Sequence, residues 1–183
     1  EELNLGDPEQ VASVRQAIRN FKLAGQFRKA DALMKDEKWL EAAREFQRLG
    51  DENPDITYAD KVYYNAAMAY KNVKYYDSAA QLLERLVTEE RFSESQFIEE
   101  SLSVLAETYK QFFSFDKAIS AFRTLYSRYR EAEKDERAYR LGQIAILYEA
   151  AGNYREAALG YEAYVAAYPG DDISATYLKT AGD

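Results

Sequence analysis

The stretch Leu141-Gly142-Gln143-Ile144-Ala145-Ile146-Leu147-Tyr148, followed by Gly152-Asn153-Tyr154-Arg155-Glu156-Ala157-Ala158-Leu159-Gly160-Tyr161 and then Pro169, decides the fold. Leu141, Ile144, Ala145 and Tyr148 fall on one face of a helix, as do Tyr154, Ala157, Tyr161 and Tyr164. Gly152-Asn153 breaks the chain between them, with Asn153 a suitable N-cap, and Pro169 stops the second segment because it has no N–H to continue it. Working outward, the second face recurs as Trp39, Ala42, Phe46, Leu49, as Tyr76, Ala79, Leu83, Leu86, and as Phe115, Ala118, Phe122, Leu125. The alanines Ala42, Ala79, Ala118 and Ala157 are spaced by 37, 39 and 39 residues. The first face recurs as Tyr63, Ala66, Ala67, Tyr70 and as Leu102, Leu105, Ala106, Tyr109, each set 39 residues before the next. Small residues at Ala67, Ala106 and Ala145 let two helices approach closely. Thr57-x-x-Asp60 and Ser93-x-x-Gln96 read as capping boxes, Ser114 as an N-cap, and Pro54 as a second stop. No period-2 alternation of useful length appears, so no sheet is predicted.

Composition narrows the chemistry. The chain has 183 residues, 47% hydrophobic and 31% charged, which predicts a packed core rather than disorder. A net charge of −8 disfavours nucleic acid, whose phosphates need a basic surface. Cysteine and histidine are both absent, which removes disulfides, Cys-ligated zinc, and the commonest general base and metal ligand. No apolar run approaches the ~20 residues of a membrane helix. Residue 1 is Glu rather than Met, residues 1–6 carry no signal-peptide pattern, and 173–181 is too short to close a fold alone. These ends predict a segment of a longer chain, with any membrane anchor in a preceding part.

The repeated helix pair resembles the tetratricopeptide repeat, whose motif is W-x2-L-G-x2-Y, then A-x3-F, then P. Leu141-x2-Ile144-Ala145-x2-Tyr148, Ala157-x3-Tyr161 and Pro169 match it best, while Arg91 and Arg130 replace the proline of the second and third copies. The first copy matches well from Trp39 to Pro54, but Gln26 and Lys29 occupy columns that should be apolar. The resemblance implies an all-α fold, a right-handed α-solenoid of antiparallel helix pairs with nine or ten helices. It places repeats at about 23–54, 60–91, 99–130 and 138–169 in a single domain, and 172–181 as the start of a further repeat or a capping helix. The segment 8–22 (Val11, Val14, Ile18, Phe21) is expected to form an extra helix over the weak first edge; one longer helix over 11–36, bent at Gly25, is the other reading. Spacings of 37–39 are similar to those of bacterial cell-envelope members, the outer-membrane assembly lipoprotein and the Tol-Pal coordinator. A periplasmic or outer-membrane-associated location follows from that likeness, with a cytoplasmic one as the alternative.

Other motifs give way to plainer readings. Asp51-x-Asn53-x-Asp55 opens like a calcium loop, but Pro54 interrupts it and Ile56 stands where glycine is needed, so a polar turn is expected. Ser114-x-x-Lys117 lacks the companion motifs of acyl transfer, and the scattered glycines form no phosphate loop. Glu89-Glu90, Glu99-Glu100 and Glu131-x-Glu133 read as solvated helix faces rather than acid/base pairs. Arg123, Arg128, Arg130, Arg137 and Arg140 are interleaved with acids and build no field of one sign. No catalytic residue, metal or cofactor is expected.

The resemblance further implies that first helices line the inner concave surface. Columns one step off the core face are Lys61, Tyr64, Met68, Lys71; Glu100, Ser103, Glu107, Lys110; and Tyr139, Gly142, Ile146, Glu149. From these, Lys61, Tyr64, Met68, Lys71, Ser103, Glu107, Lys110, Tyr139, Ile146 and Glu149 are the candidate partner-binding residues. Tyr64, Met68, Tyr139 and Ile146 are apolar or aromatic where a merely solvated helix would be polar, and aromatic anchors are typical of hot spots. Packing against a neighbouring helix is the competing explanation. Phe112 and Phe113 crowd a turn where Gly152 stands in the fourth copy, and could mark a lateral contact or a contact between repeats. The chaperone-tail clamp, Lys-x3-Asn on a first helix, is absent: those columns hold Phe27 and Asp31, Tyr64 and Met68, Ser103 and Glu107, or Gly142 and Ile146. The expected function is a non-catalytic protein–protein interaction scaffold taking a peptide or folded protein partner. The alternatives are a regulatory or substrate-recruiting module of a larger enzyme and an oligomer built through the solenoid ends.

Overall fold

The computed structural model describes residues 8–182. Among these residues the chain forms nine α-helices and one short 3-10 turn, with no strand. They are α1 (Pro8–Lys35), α2 (Trp39–Glu52), α3 (Ala59–Asn72), α4 (Tyr76–Thr88), a 3-10 turn (Glu90–Phe92), α5 (Ile98–Gln111), α6 (Phe115–Arg128), α7 (Lys134–Ala150), α8 (Tyr154–Ala167) and α9 (Ser174–Gly182). The chain divides into two compact units, Glu1–Tyr75 and Tyr76–Asp183.

In the first unit, α2 buries Ala42, Ala43, Phe46, Leu49 and Gly50, the single face that the sequence spacing lays out. Each such Phe or Leu contributes on the order of 1.5–3 kcal/mol by leaving water. Phe27 of α1 packs edge-on against Phe46 at 5.2 Å. Gly50 is a contact glycine: a Cβ there would lie 2.7 Å from the buried Tyr63 ring of α3. Tyr63 and Tyr70 keep their rings in this core and their hydroxyls donate to Asp51 (3.3 Å) and Gln47 (2.7 Å) on α2.

α1 is a single helix, as in the second of the two readings, rather than an extra helix followed by the first repeat's leading one. It runs unbroken through Gly25, and among its residues only Leu23 and Ala30 are buried. Val14, Ile18 and Phe21 are 58%, 62% and 75% exposed, so they do not cover the weak edge as the sequence suggests. At about 100° per residue they lie on the opposite side of the helix from Leu23 and Ala30. A continuous helix anchored through Leu23 and Ala30 turns them to solvent.

In the second unit the buried sets are Ala79, Leu82, Leu83 and Leu86 on α4, Leu102, Leu105, Ala106 and Tyr109 on α5, and Ala118, Ile119, Phe122 and Leu125 on α6. α7 and α8 close around Ala145, Ala157 and Tyr161. Their contact is tight, because a Cβ on Gly160 would sit 2.9 Å from that of Ala145. α9 contributes Tyr177, which packs 4.7 Å from Tyr161 and 4.8 Å from Tyr164.

One backbone device recurs at matching positions. Glu37, Lys74, Phe113 and Gly152 all have positive φ, at 58°, 62°, 61° and 77°. The residue after each donates its N–H five residues back, from Lys38 to Leu33, Tyr75 to Tyr70, Ser114 to Tyr109 and Asn153 to Tyr148. This is the left-handed C-cap usually filled by glycine, used here three times by residues that pay in backbone strain. It also explains Phe113, which is 77% exposed because the capping residue points outward, while Phe112 packs on Tyr109 and Tyr76. The expected capping boxes do not form. α3 and α5 begin after Tyr58 and Phe97, without side-chain caps. Ser95 instead accepts from the Phe97 N–H at 3.2 Å, closing a turn of its own.

Candidate protein-interaction face

The candidate residues sit on α3, α5 and α7, and the structure sorts them by neighbour. On α3, Lys61 is exposed, Met68 and Lys71 are half-buried, and Tyr64 is buried. Beside Lys61 lies a shallow hollow of about 370 Å³ lined by Ala24, Phe27 and Arg28 of α1 with Tyr58 and Lys61. Phe27 and Tyr58 meet edge-on at 5.7 Å and form its apolar floor. The Lys61 ammonium stands 5.4 Å from the Phe27 ring centre, a cation–π contact. Burial pushes the Tyr58 phenol above its ordinary pKa, so it is neutral at physiological pH. Among the described residues neither Arg28 nor Lys61 has a carboxylate in ion-pair range.

Sequence reasoning missed Ala24, Arg28 and Tyr58, and met Phe27 only in excluding the clamp. The signal was present: at the 37-residue offset of the first repeat, Ala24 and Phe27 occupy the columns of Lys61 and Tyr64.

In the second unit the same columns make a closed polar cluster. The Tyr139 hydroxyl donates to Glu107 at 2.5 Å. Lys110 pairs with Glu107 at 2.7 Å and donates to Gln143 at 3.0 Å. The Tyr139 ring rests edge-on against Phe122 at 6.1 Å. Burial first, and then the Glu107 carboxylate, holds the Tyr139 phenol well above the usual tyrosine range. Glu107, Lys110 and Tyr139 are therefore brought together and satisfied by one another. Ser103 is half-buried, and Ile146 is 36% exposed. Glu149 accepts from the Tyr161 hydroxyl of α8, which ties it to its own helix pair. Gly142 is buried, with the Tyr177 and Tyr164 rings where its side chain would be.

Arg140 is the buried member of the arginine-rich stretch. Its side chain is buried, reaching Glu99 on α5 at 2.7 Å, Glu136 at 2.5 Å and the Leu125 carbonyl of α6 at 3.3 Å. Glu99 and Glu89, two of the imagined acid/base residues, are thus engaged by Arg140 and by Arg85 and Arg91. Asp55 is paired with Arg19 at 2.9 Å, and Asn53 donates to the Leu49 carbonyl, so this stretch is an inter-helix turn. Lys117 of Ser114-x-x-Lys117 pairs with Glu84. Among the described residues no group of three or more acids is arranged around a metal position. No described helix is long and apolar enough to cross a membrane.

Residues 143–171 match the tetratricopeptide repeat family. The fold is of the tetratricopeptide repeat type. Solved structures share this fold at low identity. MamA shares 15% identity, with 87% of this chain and 89% of that one aligned at a TM-score of 0.60. The kinesin-light-chain TPR-like repeats of Podosopora anserina share 17%, over 87% and 83%, also at 0.60. BtubC (BKLC) of P. vanneervenii shares 17%, over 95% and 79%, at 0.61. No curated protein sequence matches the chain. The tetratricopeptide match and these solved structures point to protein partners and indicate no catalytic family.

Proposed function

We propose that the chain is a non-catalytic scaffold that takes a peptide or folded protein partner on its first-helix face, with the hollow between α1 and α3 as the point of engagement. The observation that carries this reading is the apolar floor of Phe27 and Tyr58 flanked by Arg28 and Lys61, two cations without carboxylate partners among the described residues. An apolar side chain would fill the floor and an adjoining acidic group would meet the cations, a combination that gives affinity from burial and register from charge. Met68 and Lys71 continue the face along α3. Ser103 and Ile146 extend the same columns in the second unit, where the Glu107–Tyr139–Lys110 cluster offers less because its groups are already paired. The 37–39-residue spacing, similar to envelope members of the family, supports placing that partner in a bacterial envelope assembly, periplasmic or at the outer membrane.

Selection of peptides from a random display library on the purified chain tests the reading. Peptides with an apolar residue beside Asp or Glu are expected, with Lys61→Glu or Arg28→Glu weakening them at least ~10-fold, about 1.4 kcal/mol. Selected peptides indifferent to both substitutions would refute it.

A further inference from the structure

A second surface lies on the outer side of α1. Val14, Ile18 and Phe21 form an exposed apolar ridge within about 60° of arc, facing away from Leu23 and Ala30. Contiguous exposed apolar side chains on a folded surface mark contact sites. The charge around this ridge is unusual for the chain. From Gln10 to Ala30 there is no acidic residue, while Arg15, Arg19, Lys22, Arg28 and Lys29 are basic, in a protein of net charge −8. Arg19 and Lys29 are taken by Asp55 and Glu45. Arg15, Lys22 and Arg28 have no carboxylate in ion-pair range among the described residues. By helical geometry Arg15 and Lys22 run along one flank of the ridge, and the Arg28 guanidinium lies 5.9 Å from the Phe21 ring centre.

We propose that this face docks an acidic amphipathic helix of a partner protein, whose apolar ridge packs on Val14, Ile18 and Phe21 and whose carboxylates meet Arg15 and Lys22. The charge distribution disfavours a second copy of the same face. In a two-fold antiparallel pair Arg15 and Lys22 would oppose themselves; in a parallel pair they would meet the neutral flank of Ser13, Ala17 and Asn20. An anionic membrane fits less well too, because the ridge is narrow and belongs to an acidic chain repelled by such a surface.

The test is fluorescence-anisotropy binding of a synthetic acidic amphipathic helix, leucines at heptad spacing and glutamates on both flanks, to the full chain. Ile18→Glu and Phe21→Glu should each weaken binding at least ~10-fold, and Arg15→Glu with Lys22→Glu together by a similar factor. Because these sites are exposed, the circular-dichroism melt should stay unchanged. The same peptide with Lys for Glu should not bind. Lys61→Glu should leave this binding intact, which separates its fate from that of the α1–α3 hollow. Binding indifferent to Ile18→Glu, or equal binding of the Lys peptide, would overturn the proposal. So would co-sedimentation of the wild type, but not Ile18→Glu, with phosphatidylserine vesicles, or a concentration-dependent dimer that Ile18→Glu abolishes.

Discussion

The first-helix faces of the two units put neighbouring columns of one repeat to opposite use, with Lys61 and Tyr139 in the column they share. Between α1 and α3, Ala24, Phe27, Arg28, Tyr58 and Lys61 line an apolar hollow with two cations and no acid in its lining. Between α5 and α7, Glu107, Lys110 and Tyr139 close a polar cluster among themselves. A residue's column says where it stands; the residue opposite decides whether it is available to a partner. A lysine facing an apolar ring remains open to a ligand carboxylate, whereas a tyrosine facing a glutamate is part of the scaffold.

The largest effect expected from this contrast lies under the second face. Arg140 stands 39 residues on from Ser101 and 78 from Val62, so a column that is aliphatic in the first unit carries a buried guanidinium in the second. Replacing both Glu99 and Glu136 by Ala leaves that charge without its carboxylates and should cost about 3 kcal/mol in urea unfolding, whereas Arg140→Met should cost clearly less. A loss under ~0.5 kcal/mol for the double variant would show the guanidinium to be water-solvated.

A comparable effect is expected from pH. Burial, and then a hydrogen bond to Asp171, pushes the Tyr164 phenol up to about 12. The unfolded chain has tyrosines near 10, so the stabilisation tied to the neutral phenol is complete below about pH 10 and is lost as pH rises through 12. Tyrosinate absorbance at 295 nm should therefore show a late component that appears together with loss of helix. Its appearance in a fully helical chain near pH 10 would contradict the burial of Tyr164.

Smaller effects follow from the repeated left-handed cap. Phe113→Gly relieves the strain that Gly152 avoids at the matching position and should raise stability by about 1 kcal/mol. A destabilised variant would mean that Phe113's contact with Phe115 outweighs the strain. The smallest stability changes separate the two faces most cleanly. Tyr139→Phe removes one hydrogen bond and should cost about 1 kcal/mol or less without changing peptide binding, while Lys61→Glu should leave the melt within about 0.5 kcal/mol and lose the peptide. Equal loss of binding in both variants would erase the distinction between the faces.

Much of this was legible in the residues. The Ala42, Ala79, Ala118, Ala157 register and the paired aromatic faces predict the helices of the second unit closely, because burial acts on the same columns in each copy. Tyr64 and Tyr139 were indistinguishable in sequence, since a tyrosine suits a packed contact and an open face alike; one is buried and the other hydrogen-bonded to an acid. Arg140 lies in a run of mixed charge, and nothing local tells a buried arginine from its solvated neighbours. The hollow was not legible although the clamp comparison already sets Phe27 in the Tyr64 column, because its floor and rim also need Tyr58 and Arg28, which the columns do not bring together. α1 is apolar on opposite sides in its two halves, a pattern that fits two helices or one, so the residues alone leave both open.

The most direct test is to map where a selected peptide lies, using a photoreactive group on the peptide and mass spectrometry of the adduct. The account predicts crosslinks within residues 24–28 and 58–61, lost in Arg28→Glu. Crosslinks confined to 103–110 and 139–149 would contradict it.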